Sequence, residues 1–127
     1  MQEVSFNHFK EYTTTEEPWG YWIDGSVIYR KTMSLSYIRG GEISVPIYGL
    51  FPSDFGTLVK IEGSITVANT DDTSPISYAI PFNSGDLYAY VMHDSTQQIP
   101  GYLCVKTPSS KKVAPAVVTV YYTKTSS

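Results

Sequence analysis

The sequence predicts an all-β fold, an antiparallel β-sandwich or jelly-roll-like barrel of about eight strands. Short segments of alternating apolar and polar residues recur at spacings of about 8–12 residues, as they do in all-β domains. No segment has the periodicity of an amphipathic helix. The pair Asp24–Gly25 lies between two runs of β-forming residues, which is a strong hairpin signal. These three observations together favour antiparallel strands joined by turns.

The first predicted elements are the two arms of a hairpin that turns at Asp24–Gly25. A two-residue type I′ turn requires positive φ at both central residues, which glycine adopts freely and aspartate tolerates. Such a turn would place Trp22 opposite Val27. We therefore expect one face of the sheet to carry Trp22, Val27 and Tyr29, and to belong to the core together with Met33, Leu35 and Tyr37.

The clearest alternation in the chain predicts a half-buried strand over residues 58–67. Gly63 falls on its inward face, which predicts a bulge or a closely approaching neighbour. Pro46 ends a shorter strand before it and predicts a sheet edge, because proline cannot donate a ladder hydrogen bond. The inward side chains of residues 58–67 are Val59, Ile61, Ile65 and Val67.

The second half of the chain predicts a hairpin, two exposed loops and a closing strand. The hairpin strands, Ile76–Phe82 and Leu87–Met92, flank a turn at residues 83–86. A short strand, Tyr102–Lys106, and a last strand, Ala116–Thr123, follow it. The loops of a sandwich cluster at its ends, where binding residues concentrate. The candidate contact loops are therefore residues 69–75, 93–100 and 107–115.

The length of 127 residues suits a single folded domain. We expect residues 1–17 to be a polar N-terminal extension or a lead from an upstream stalk, and residues 18–127 to be one β-sandwich domain. Charged residues make up 17% of the chain, below the roughly 25% of an average protein, and there are 11 tyrosines. Either an amphipathic surface, suited to a subunit interface or a ligand platform, or half-buried strand positions would explain these tyrosines.

The charge, cysteine and hydropathy patterns exclude several classes of partner. A net charge of −3 and a pI of about 5.2 leave no basic footprint for nucleic acid. Cys104 has no disulfide or metal partner in the sequence, and its apolar neighbours predict a small buried side chain. No apolar run approaches about 18 residues, so we expect no membrane insertion. The N-terminus lacks signal-peptide features, so a chain acting outside a cell would leave it by another route, such as lysis.

The residue patterns provide no convincing catalytic, metal or cofactor site. The run His93–Asp94–Ser95 contains triad-type residues, but a working triad is assembled from separate positions, so we expect a polar turn. The adjacent acids Asp71–Asp72 are a weak calcium signal. The pair Gly40–Gly41 lacks the lysine and helix of a phosphate loop. We therefore expect no enzyme, no cofactor and no metal.

The candidate ligand-binding residues lie on strand Leu87–Met92 and in the loop after it. The strand alternates, so that if Leu87, Ala89 and Val91 face the core, Tyr88 and its alternate neighbours form an exposed aromatic stripe. Exposed aromatic rings stack on sugars or anchor protein contacts. The alternative is that a second sheet or a neighbouring subunit covers the stripe. The residues predicted to bind a ligand are Tyr88, Tyr90, His93, Asp94, Gln97 and Gln98.

The segments Tyr12–Glu17 and Gly20–Thr32, and the ending Thr119–Thr125, resemble the C-terminal receptor-binding heads of tailed-bacteriophage tail-fibre and minor structural proteins. The resemblance covers about a quarter of the chain. It departs from the usual pattern at Ser26–Val27, where Lys and Pro or Leu are common. Its structural signature is a hairpin that contains Trp22, Asp24, Gly25 and Tyr29.

The resemblance implies a non-enzymatic head that binds a host-surface receptor, either a saccharide or a protein. It also implies a homotrimer that contacts other tail proteins. Such a head is made in the host cytoplasm, belongs to the virion tail and acts extracellularly at the host surface. Two alternatives stay open from the residues themselves: a purely structural virion module, and a carbohydrate-binding module of a larger secreted protein.

Overall fold

The computed structural model describes residues 15–125, and these form eight β-strands and no helix. The strands belong to one strongly curled antiparallel sheet, a half-barrel, so the predicted all-β antiparallel class and strand number are confirmed. Residues 1–14, which include most of the expected extension and the start of the resembling segment, lie outside the described part. The strands are β1 Glu17–Tyr21, β2 Val27–Leu35, β3 Ile38–Pro46, β4 Phe55–Asn69, β5 Ile76–Ala79, β6 Phe82–Asn83, β7 Tyr88–His93 and β8 Gly101–Lys124.

The centre of the sheet is β8, a strand of 24 residues that has partners along both edges. One edge of β8 pairs with β2 and then with β3. These two strands keep the same register against β8, from Tyr29 opposite Tyr122 in β2 to Ile38 opposite Val113 in β3. The other edge pairs with β4 and then β7. Strands β1, β5 and β6 extend the sheet from β2, β4 and β7 respectively. All the longer strands are therefore organised around β8.

The predicted exposed loop at residues 107–115 is wrong, because these residues are part of β8. Their proline and serine residues lie in a long bulge inside the strand, where several β8 residues have no partner in β3. The pairing of β3 with β8 shifts between Arg39 and Gly41, and the β8 backbone arches over Gly40. A Cβ atom at Gly40 would lie 2.2 Å from the Lys111 carbonyl oxygen and 2.6 Å from that of Pro108. Turn-forming residues thus bend this strand without ending it.

The predicted hairpin is present, but its turn has one residue more than expected. Trp22 N donates to the Ser26 carbonyl at 2.8 Å, and Gly25 N donates to the Trp22 carbonyl at 2.9 Å. Among the turn residues only Gly25 has positive φ, at 90°. This pattern is a type I turn followed by a glycine bulge, the usual three-residue hairpin loop. The predicted type I′ turn is therefore wrong, and Val27 faces Tyr21 in place of Trp22.

The predicted core face is correct for part of the hairpin. Tyr29, Met33 and Leu35 pack against the central hydrophobic cluster, whereas Trp22 and Val27 are half-buried outside it and Tyr37 is exposed beyond the end of β2. The buried members of this cluster come from β3, β4, β7 and β8 and from the segments that follow β3 and β5. They are Ile38, Ile47, Leu50, Phe51, Ile65, Val67, Ile80, Ala89, Leu103, Val105, Val113, Ala116, Val118, Val120 and Tyr122.

The connection from β3 to β4, residues 47–54, closes the open side of the curl. Leu50 and Phe51 are buried, and both lie against Gly101 at the start of β8. The Phe51 ring centroid is also 6.4 Å from that of Tyr122, near the end of β8. Burial of each such side chain stabilises the fold by roughly 1.5–3 kcal/mol. Residues 47–54 therefore hold the two ends of β8 together.

Two smaller predictions about the strands are also confirmed. A Cβ atom at Gly63 would lie 2.3 Å from the Val117 carbonyl oxygen, which is the close neighbour expected for an inward glycine. Strand β3 ends at Pro46 and pairs only with β8 within the described chain, as expected of an edge strand.

Candidate ligand-binding cleft

The structure separates the predicted ligand-binding residues onto two surfaces. On β7, Ala89 is fully buried and Val91 packs against the core, so the predicted sidedness of this strand is confirmed. Tyr88 and Tyr90 lie on the outer face, with ring centroids 5.8 Å apart. His93 follows Val91 by two residues and packs on the inner side. The loop after it contributes to both surfaces.

The outer surface, here called the tyrosine face, consists of Tyr88, Tyr90 and Tyr102 on β7 and β8. The Tyr88 hydroxyl donates to Glu42 Oε2 at 2.8 Å, and this bond raises the pKa of Tyr88 to about 12. A hydrogen bond with Cys104 raises the pKa of Tyr90. Cys104 is buried, as predicted. The tyrosine hydroxyls therefore interact largely with neighbouring side chains of the sheet.

The inner surface is an open cleft of about 520 Å³ where residues 48–55 meet residues 93–100. Its volume lies in the range of small-molecule sites, roughly 300–1,000 Å³. Three of the predicted residues, His93, Gln97 and Gln98, line it, and Gln97 also borders a shallow depression beside Tyr102. The remaining lining residues are Tyr48, Gly49, Phe51, Pro52, Ser53, Phe55, Ser95, Ile99 and Pro100.

Three packed rings form the floor of the cleft. The His93 ring stacks on Phe55 at 4.1 Å and meets Phe51 edge-on at 4.8 Å, while the two phenylalanines are 4.9 Å apart. Tyr48 is at the rim, where it is 70% exposed. This arrangement combines the exposed ring of Tyr48 with a floor of packed aromatic rings.

The sequence predictions missed the contribution of Tyr48, Phe51 and Phe55. Their segment contains a glycine, a proline and several apolar anchors, which indicates a loop packed on the core. No local pattern reports that this loop meets residues 93–100. The contact depends on the curl of β8, which brings distant parts of the chain together.

The loop at residues 94–100 is closed by its own hydrogen bonds. Asp94 N donates to the Pro100 carbonyl at 2.8 Å. The Asp94 carboxylate accepts from Thr96 Oγ1 at 2.6 Å and from Thr96 N at 3.0 Å, and these bonds lower the pKa of Asp94. Asp94 therefore stabilises a turn, as expected for the run His93–Asp94–Ser95.

An ionic cluster lies beside Phe55 of the floor and contacts it through Tyr122. Tyr122, which packs near Phe55, donates its hydroxyl hydrogen bond to Glu16 Oε2 at 2.5 Å. Lys124 Nζ lies 2.5 Å from Glu16 Oε1 and 3.8 Å from Asp54. Burial acts to raise the pKa of Glu16, but the hydrogen bonds from Lys124 and Tyr122 outweigh it and lower the pKa. The cluster brings together Glu16 and Lys124, which lie near the two ends of the described chain.

The other acidic turn has internal partners as well. Asp71 accepts hydrogen bonds from Thr73 N and Thr73 Oγ1, and Asp72 forms an ion pair with Lys112. Across residues 15–125, no group of three or more His, Cys, Asp or Glu side chains could hold a metal ion. In the same part of the chain, no helix is long and apolar enough to cross a membrane.

No family model, curated protein or solved structure matches this chain. The resemblance to tail-fibre heads therefore stays a prediction, and the geometry of the cleft carries the functional argument.

Proposed function

We propose that this chain is a non-enzymatic head domain of a phage tail-fibre or tail structural protein, and that it binds a host-surface receptor through the cleft. The observation that carries the proposal is a cleft that combines an exposed aromatic ring, Tyr48, with amide side chains and a floor of packed aromatic rings. The phage context comes from the resemblance alone. The domain would be made in the host cytoplasm and act in the virion tail at the host surface.

The lining of the cleft suits a saccharide in particular. The faces of a sugar ring are apolar and stack on aromatic side chains, while its hydroxyls both donate and accept hydrogen bonds. Gln98 offers a donor and an acceptor, and Gln97, which also interacts with Tyr102 and Asp94, lines the cleft beside it. The hydrogen-bonded loop at 94–100 needs little ordering when it binds, which favours affinity. The Asp94 carboxylate is engaged within its own turn, which favours binding over catalysis.

A glycan array tests this function with two matched variants. Tyr48→Ala removes a mostly exposed ring from the cleft, and Tyr90→Ala removes a 44% exposed ring from the tyrosine face. We expect Tyr48→Ala to weaken binding about five- to thirtyfold, and Tyr90→Ala to leave it within about twofold, because stacked rings in ligand sites contribute about 1–2 kcal/mol. Loss with Tyr90→Ala alone would move the site to the tyrosine face. Absence of any receptor binding would contradict the proposal.

A second candidate function, a purely structural virion module, is favoured by the β1 hairpin. Tyr21 is 78% exposed and Ile23 is 93% exposed, and Trp19 nearby is also exposed. Clustered exposed apolar side chains are typical of contacts with other proteins. A homotrimer or another tail protein would cover them. A stable trimer without receptor binding would support this candidate.

The third candidate is a carbohydrate-binding module of a larger secreted protein. The same cleft would serve it, so the two binding candidates differ in assembly. A chain that stays monomeric at every concentration and still binds glycans through Tyr48 would favour the module over the trimeric head. Light scattering across a concentration series measures this difference.

A further inference from the structure

We infer that the cleft selects uncharged saccharides and rejects acidic ones. This inference rests on the proposed function and adds the ligand class to it. Among the described residues that line the cleft, none is Asp, Glu, Lys or Arg. Its polar groups are the amides of Gln97 and Gln98, serine and tyrosine hydroxyls, and the His93 ring. These groups match sugar hydroxyls, which donate and accept without carrying charge.

Two lysine ammonium groups lie near the cleft, and Lys124 is paired with carboxylates. Lys124 pairs with Glu16 and approaches Asp54, and its hydrogen bond to Glu16 raises the pKa of Lys124. Lys31 Nζ approaches the rim, 3.8 Å from the position of a Cβ atom at Gly49. The charge of Lys31 also acts on Glu16, where it contributes to the lowered pKa of that carboxyl. Lys124 is therefore part of an ionic cluster that contains its own anions, and Lys31 is a cation at the rim whose charge also acts on Glu16.

An acidic sugar over the floor of this cleft would lose hydration, and the lining offers its charge no lysine or arginine partner. Burying a carboxylate or a phosphate is costly unless a cation or several donors replace its water. A neutral sugar has no such cost, and its ring face can cover Tyr48 and the floor beneath it. The cleft volume of about 520 Å³ fits a short saccharide segment. Selection against charge thus follows from the absence of Asp, Glu, Lys and Arg side chains in the lining.

The test compares matched neutral and acidic saccharides by isothermal titration at low salt and at about 0.5 M salt. Lactose with sialyllactose, and neutral mannose oligosaccharides with their phosphorylated forms, provide the pairs. The array hits provide further neutral probes and their uronic-acid counterparts. We expect the neutral member to bind at least tenfold more tightly than the acidic one. We also expect its affinity to change less than about twofold with salt, because no ion pair forms.

A charge-introducing variant provides the matched control. Gln98→Lys places a cation at the edge of the cleft on an exposed loop residue, so the fold is kept. We expect this variant to gain acidic saccharides in a salt-dependent manner, and to bind the neutral ones more weakly than the wild-type chain because the Gln98 amide is lost. Tighter binding of acidic sugars by the wild-type chain would overturn the inference and leave the proposed receptor function in place. No binding of any saccharide would overturn the inference, and absence of binding to any protein receptor as well would overturn the proposed function.

Discussion

The bulge in β8 makes Gly40→Ala the most informative single substitution for the fold. A Cβ atom there would lie 2.2 Å, 2.6 Å and 3.0 Å from the carbonyl oxygens of Lys111, Pro108 and Ser109. All three are backbone atoms, so no side chain can rotate away. The bulge would have to move by about 1 Å, which strains the β3–β8 pairing on both sides of Gly40.

The expected cost follows from two contributions. Overpacking typically costs about 1–3 kcal/mol, and each weakened ladder hydrogen bond costs about 1 kcal/mol. With one weakened bond on each side of Gly40, we therefore expect Gly40→Ala to lower the free energy of unfolding by about 3–5 kcal/mol. For a chain of this size that loss corresponds to a decrease in Tm of about 10–20 °C.

Gly20→Ala is the matched control, because a Cβ atom at Gly20 would meet no heavy atom within 4 Å. Gly20 is also in a strand, and its replacement should be neutral or slightly stabilising, by up to about 1 kcal/mol. Urea denaturation followed by circular dichroism measures both variants. If Gly40→Ala were within about 0.5 kcal/mol of Gly20→Ala, the backbone of β8 would not press on Gly40, and the reasoning about the bulge would be refuted.

Two further predictions concern acid stability and assembly. Because the pKa of Glu16 is lowered in the folded chain, the stabilisation by its charge is complete above the ordinary pKa of 4.5 and is lost as the pH falls through the folded value. Glu16→Gln should therefore destabilise the fold by about 0.5–1 kcal/mol at pH 7 and by almost nothing at pH 2, measured by urea denaturation; an equal loss at both pH values would contradict this. Ile23→Ser should weaken self-association in sedimentation experiments without changing Tm by more than about 2 °C, because Ile23 is 93% exposed; an unchanged association constant would place the interface elsewhere.

Local patterns in the sequence predicted the strands better than their connections. The hairpin at Asp24–Gly25 was predictable, since few other structures suit an Asp-Gly pair between β-forming runs. Its register was not, because a two-residue turn and a three-residue loop both place glycine at positive φ. The break predicted at residues 107–115 failed for a similar reason. Proline and serine signal a departure from regular pairing, and a bulge satisfies that signal as well as a loop does.

The candidate site was predictable only in part. Alternation along β7 correctly assigned Ala89 and Val91 to the core and the tyrosines to the outer face. The last residue of β7 is His93, and the polar loop after β7 supplies the glutamines of the cleft. The other wall, with Tyr48 and Phe51, comes from a segment more than forty residues earlier in the chain. Only the curl of the whole sheet joins the two walls, and no short-range pattern encodes that curl.

The most direct test of the cleft as the binding site is a ¹⁵N NMR titration of the chain with the neutral saccharide that binds best on the array. We expect the largest chemical-shift changes at residues 48–55 and 93–100, with little change at Tyr88, Tyr90 or the hairpin turn. Saturating changes confined to the tyrosine face or to the hairpin would contradict the assignment of the cleft as the receptor site.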